Sequence, residues 1–249
     1  MFTENVKGTE IQKKPRAGKP RRGRGRPPGP TAQGAAARKH LYDTAIALIA
    51  ERGYEAATLR EVADRAGVSV GLLYRYFPSK RAVVLALYDK LSTEYAERAR
   101  HMASGRWRDR FTVALETSLE VLAPHRRTLT ALVPALVVGD NEGIFSPATA
   151  ASRERVRRLF VEAVDKAADA PGEISASVGR VLYLAHLAIL LFWLLDRSRQ
   201  QHATRAVLAL VKQALPACAL ALRLRGVRRF VVAIDKLTEE ALFSGTETV

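Results

Sequence analysis

At 249 residues, with 48% of them apolar, the chain is long enough to bury a sizeable core in one large domain or two unequal ones. A single cysteine, Cys218, excludes an intrachain disulfide framework and offers no metal-ligand spacing; its Ala-Leu-rich surroundings predict a small buried hydrophobe. The formal charge of +15 makes a polyanion the simplest partner.

That charge is unevenly placed. Residues 1–38 hold ten Lys or Arg against Glu4 and Glu10, so more than half of the excess sits there. Residues 1–34 are rich in Pro and Gly and have almost nothing to place in a core, a composition that predicts a disordered basic tail. Within it, Pro20 to Pro27 resembles an AT-hook, whose core, here Arg24, Gly25, Arg26 and Pro27, lies along the minor groove of A·T-rich DNA. Pro28-Gly29-Pro30 replaces the usual basic flank, so an unspecific electrostatic arm is the competing reading. The N-terminus has no apolar run of the signal-peptide kind.

From about Ala36 the pattern becomes helical and stays so, predicting an all-α fold with no convincing strand. The first helix, 36–52, aligns Leu41, Ala45, Leu48 and Ile49 and stops at Gly53. Thr58-Leu59-Arg60-Glu61 has the form of a capping box opening a short second helix. Gly67-Val68-Ser69 reads as a tight turn, with Ser69 the N-cap of a third helix over 70–77. Pro78 ends that helix, and Ser79 caps a long fourth one beginning at Lys80. Further helices are expected near 107–123, 127–138, 147–168, 174–197, 203–224 with a kink at Pro216, and 227–243 after Gly226. The longest apolar run, Val181 to Leu195, contains His186 and has fifteen residues where a membrane span needs about 20, so a buried helix is expected.

Two short helices joined by a glycine turn have the form of a helix-turn-helix, whose second helix enters the major groove. Val70 and Gly71 are small enough for the start of the third helix to approach base edges, while Leu73 and Phe77 point back into a core. Tyr74, Arg75 and Tyr76 fall on or beside the outer face. Arg75 is the natural base reader, because a guanidinium can bond guanine in bidentate fashion. Tyrosine hydroxyls can donate to phosphates. Lys80 sits in the first turn of a helix, where a cation is unfavourable unless an anion is near.

The segment TLREVADRAGVSVGLLYRYFPSK resembles the DNA-binding signature of the TetR family, over about residues 36–96. The resemblance implies DNA contacts by Thr58, Ser69, Val70, Gly71, Tyr74, Arg75, Tyr76 and Lys80; at Tyr76 the family often has histidine. It further implies a helical domain over 97–249 that binds a small-molecule effector and pairs across a two-fold axis, so a homodimer on a palindromic operator. The expected setting is the bacterial cytoplasm, on the nucleoid when DNA is bound.

For the effector pocket, His186, Ile189 and Trp193 share a face of the most apolar helix, and Phe111 and Leu115 could form the opposite wall. A satisfied core histidine among packing aromatics is the competing reading. His40, His101, His125 and His202 are scattered and form no metal cluster, and no cofactor is expected. Catalysis finds no support: there is no phosphate loop, no nucleophile elbow and no paired carboxylates. An architectural DNA-coating protein is the alternative that the charge and the tail would favour. It would bind any A·T-rich duplex, whereas a repressor would protect a short two-fold site.

Overall fold

The computed structural model describes residues 32–138 and 143–243, and among them there are only helices and their connections. The AT-hook-like segment lies outside the described residues.

The N-terminal unit consists of α1 (Ala32–Arg52), α2 (Leu59–Ala66), α3 (Val70–Tyr76) and the start of α4 (Lys80–Ala99). Its core is the stripe expected from the sequence: Leu41, Ala45, Leu48 and Ile49 of α1 meet Val62, Ala63, Leu73 and Phe77. Helix α1 begins at Ala32, four residues earlier than its apolar stripe suggested, because Ala-rich sequence propagates a helix readily. Gly53 follows with φ 88°, in the left-handed region where glycine meets no steric penalty.

The remainder is built from α5 (Trp107–Leu122), α6 (Arg126–Val138), α7 (Ala150–Asp165), α8 (Ser175–Leu195), α9 (His202–Ala221) and α10 (Arg225–Phe243). Helix α8 runs through the centre and packs on α7 so closely that Gly179 has no room for a side chain. On its other side Arg180 forms a two-pronged ion pair with the buried Asp235 of α10, at 2.7 and 2.5 Å. This pair was not anticipated, since nothing local marks two residues 55 apart as partners.

Several expectations need correction. The helix expected over 147–168 starts with a single 3-10 turn at Pro147–Thr149, the proline occupying the first helical position. Gly226 does not precede the last helix but lies inside it, and α9, with Pro216 inside it, ends at Ala221 rather than at 224. Gln200 and Gln201 take left-handed conformations at the α8–α9 connection, where Gln201 Oε1 accepts a bond from Trp193 Nε1. The apolar run of α8 is not buried all round: Leu191, Phe192 and Leu195 are exposed in the single chain. So are Leu210 and Leu220 of α9, Phe230 and Leu237 of α10, and Cys218, which was expected to be buried. By length and composition alone, Gly172–Leu195 and Arg199–Ala221 would suffice to cross a membrane.

Candidate nucleic-acid interface and ligand cavity

The helix-turn-helix is fixed by short-range chemistry. Glu61 N donates to Thr58 Oγ1 at 3.2 Å and Thr58 N donates to a Glu61 carboxylate oxygen at 3.1 Å, completing the capping box. The bond from Thr58 N, joined by one from Thr58 Oγ1 to the same oxygen at 3.0 Å, favours the charged carboxylate and lowers the pKa of Glu61. Gly67 adopts φ 67° and ψ 31° and closes α2 with a left-handed cap, and Ser69 Oγ accepts from Leu72 N at 3.2 Å to start α3. Leu73 and Phe77 are fully buried, which turns the opposite face of α3 outward.

On that face Tyr74 is half exposed and Arg75 is exposed, as are Gly71, Ser69 and Thr58 around it. Val70 and Tyr76 are half-buried and pack against the core, so Tyr76 lies at the margin of the face. Arg38, Lys39, Arg75 and Lys90 line a cleft beside α3, between α1 and α4, together with Asp43 and Asp89.

Lys80 departs from expectation. Its ammonium donates to the carbonyls of Tyr54 and Glu55, at 2.5 and 3.1 Å, and lies 4.4 Å from the centre of the Tyr54 ring. The unfavourable helix dipole is thus offset from within the protein, by the loop between α1 and α2, and does not require a phosphate.

Helices α4, α5, α6, α7 and α8 and the turn before α7 border a half-open cavity of about 350 Å³. Its wall is apolar for the most part, with Leu91, Leu122, Leu129, Val156, Leu187 and Leu190 contributing. His186 and Trp193 line it; Phe111, Leu115 and Ile189 do not, and are packed core residues instead. Phe111 is taken up by Phe160, with ring centres 5.9 Å apart. Ser118, not among the residues expected here, continues the stripe of Phe111 and Leu115 one turn on and also lines the cavity; its Oγ lies 2.8 Å from His186 Nε2.

His186 is buried against the rings of Phe160, Tyr95 and Tyr183, and burial lowers its pKa to about 3, so it stays neutral. Tyr95 donates its hydroxyl to Ala114 O at 2.9 Å. Its other neighbours on α4, Tyr88, Leu91 and Ser92, also face the cavity, so one helix borders both the helix-turn-helix and the chamber.

Comparison with known proteins agrees with this architecture. The family model for bacterial regulatory proteins of the tetR family matches residues 41–87. The transcriptional repressor KstR of Rhodococcus jostii is 30% identical over 166 residues, which cover 65% of this chain and 74% of that protein. The chain belongs to the TetR family. It is therefore a DNA-binding transcriptional regulator with a helix-turn-helix, and the reading as an unspecific coating protein is set aside. KstR of Mycobacterium tuberculosis is 46% identical over 69 residues, 27% of this chain and 31% of that one. Two solved structures share the fold: a putative transcriptional regulator from Pseudomonas aeruginosa (TM-score 0.58, 21% identity, 75% of this chain and 92% of that one) and a TetR-family regulator from Streptomyces coelicolor (TM-score 0.55, 22% identity, 83% and 98%). These TetR-family relatives are regulators of transcription rather than enzymes.

Proposed function

We propose that the protein is a ligand-responsive repressor that binds a palindromic operator as a homodimer, acting in the bacterial cytoplasm and on the nucleoid when bound. Repression is the role carried in the names of the KstR relatives. The observation that carries the ligand response is the continuity of α4, which starts at the end of the helix-turn-helix and supplies Tyr88, Leu91, Ser92 and Tyr95 to the cavity wall. A ligand that changes the packing there acts on the element from which the DNA-binding unit is hung.

In this reading residues 36–96 form the DNA-binding domain and 97–249 the effector and dimer domain. Arg75 reads a base edge; Gly71 and Val70 permit close approach; Thr58, Ser69, Tyr74 and Tyr76 touch the backbone. Lys80 supports the α1–α2 loop and lends its charge to the same surface. The cavity residues His186 and Trp193, with Ser118, form the effector site. Arg24, Gly25, Arg26 and Pro27 belong to a minor-groove tail.

The exposed apolar residues of α8, α9 and α10 are covered by a second copy rather than by lipid. Sequencing DNA selected by the purified full chain, with sedimentation in dilute solution, tests the whole reading. The expected result is a dimer protecting two half-sites roughly 34–36 Å apart or a multiple of this. Leu210, 63% exposed in the single chain, is the position to perturb: Leu210→Glu should yield folded monomer. A monomeric wild type, or a selected pool without two-fold symmetry, overturns the proposal.

A further inference from the structure

We propose that the cavity takes an uncharged, predominantly apolar ligand that presents one hydrogen-bonding group, hydroxyl or carbonyl, to His186. This inference rests on the cavity being the effector site.

Three polar side chains of the wall are already engaged. Ser92 Oγ donates to Asp89 O at 3.1 Å and accepts from Arg155 at 2.5 Å. Thr149 Oγ1 bonds to the carbonyls of Gly143 and Ser146, at 3.0 and 2.9 Å. Arg153, the one charged side chain among the described residues of the lining, donates from Nη1 to Ile144 O at 2.9 Å and Ser146 O at 3.1 Å. Its guanidinium also lies 5.3 Å from the centre of the Phe243 ring. It thus holds the turn before α7 in place.

His186 differs. It is 1% exposed, Ser118 occupies Nε2, and the buried Nδ1 has no partner among the described residues. A buried polar atom left unpaired is unfavourable, and a group that pairs it gains directly. The serine hydroxyl can donate to Nε2 or accept from it, so Nδ1 can present either a proton or a lone pair. A neutral hydroxyl satisfies it in either form, and a carbonyl accepts from it when it carries the proton. An ionised group placed beside His186 finds no such match: the imidazole carries no charge, Arg153 Nη1 is engaged with backbone carbonyls, and the leucine-rich wall there would strip the ion of water without repayment.

Three probes with one carbon skeleton separate these alternatives: n-decanol, decanoate and decylammonium, each titrated into the full chain near neutral pH by displacement of an apolar fluorescent dye. The expected result is decanol binding at least about tenfold more tightly than either ion. His186→Phe, which keeps an aromatic ring in the stack, should weaken decanol by about three- to tenfold and leave decylammonium unchanged. The ranking of the three probes on the wild type stands even if that variant fails to fold. Decanoate binding most tightly, with the preference lost in Arg153→Gln, overturns the inference while leaving the effector site intact. Equal binding of all three overturns it likewise. Displacement by none of them at saturation removes the effector-site reading as well.

Discussion

Gly179→Ala sets two effects of similar size against each other, and the geometry decides between them. Glycine inside a helix is less favourable than alanine by about 0.5–1 kcal/mol, so propensity alone predicts a gain. At Gly179, however, an added Cβ would lie 2.5 Å from Val161 Cα and 3.0 Å from both Phe160 O and Val161 N. These are backbone atoms of α7 and cannot rotate aside, so α7 and α8 must move apart along their shared face. Overpacking of this kind costs about 1–3 kcal/mol, and a backbone obstacle puts it at the upper end. The net expectation is a loss of about 2 kcal/mol, a drop in Tm of about 4–8 °C for a chain of this size. Gly71→Ala is the control: nothing lies within 4 Å of its added Cβ, so propensity acts alone and Tm should hold or rise by about 2–4 °C. Thermal melts followed by circular dichroism, at one protein concentration for all three chains, make the comparison. A Gly179→Ala protein as stable as the wild type would refute the claim that close helix contact, and not chance, keeps glycine there.

Arg75→Ala should weaken binding at the preferred operator by about 1–3 kcal/mol and relax base choice at one position per half-site; unchanged base preference in a selection experiment would reassign the reader. For His186 the folded pKa of about 3 lies below the ordinary 6.5, so the unfolded chain takes the proton first. Its contribution to stability is complete above about pH 6.5 and declines as pH falls towards 3, amounting to a loss of about 2 kcal/mol between about pH 7.5 and about pH 5. Denaturation midpoints across that range should show this slope in the wild type, reduced in His186→Phe; parallel slopes would contradict it. Deleting residues 1–30 should flatten the plot of log K against log salt by about 3 per subunit, if each tail neutralises three or four phosphates. Replacing A·T pairs beside the operator with G·C should then weaken the full chain alone if the tail is an AT-hook, and neither protein if it is an electrostatic arm.

The helix-turn-helix was legible because every signal that builds it is local. Thr58 and Glu61 cap α2 across three residues, Gly67 supplies the left-handed turn, Ser69 caps α3, and Leu73 and Phe77 fix which face of α3 turns inward. Helical periodicity likewise gave most of the later elements, since a 3.6-residue repeat of apolar side chains is written in the chain itself. What the chain alone did not decide was which buried face meets another helix and which borders empty space. Phe111, Leu115 and Ile189 have the same apolar spacing as the cavity-lining residues, yet neighbours such as Phe160 fill the space beside them. Only folding brings Ser118 to His186, 68 residues away, and gives Lys80 the carbonyls of Tyr54 and Glu55, so that its charge is met without DNA. Local patterns determine how each helix forms and which side it buries; a cavity, or a partner for an isolated polar atom, depends on the mismatch in shape between helices that meet only in the folded chain.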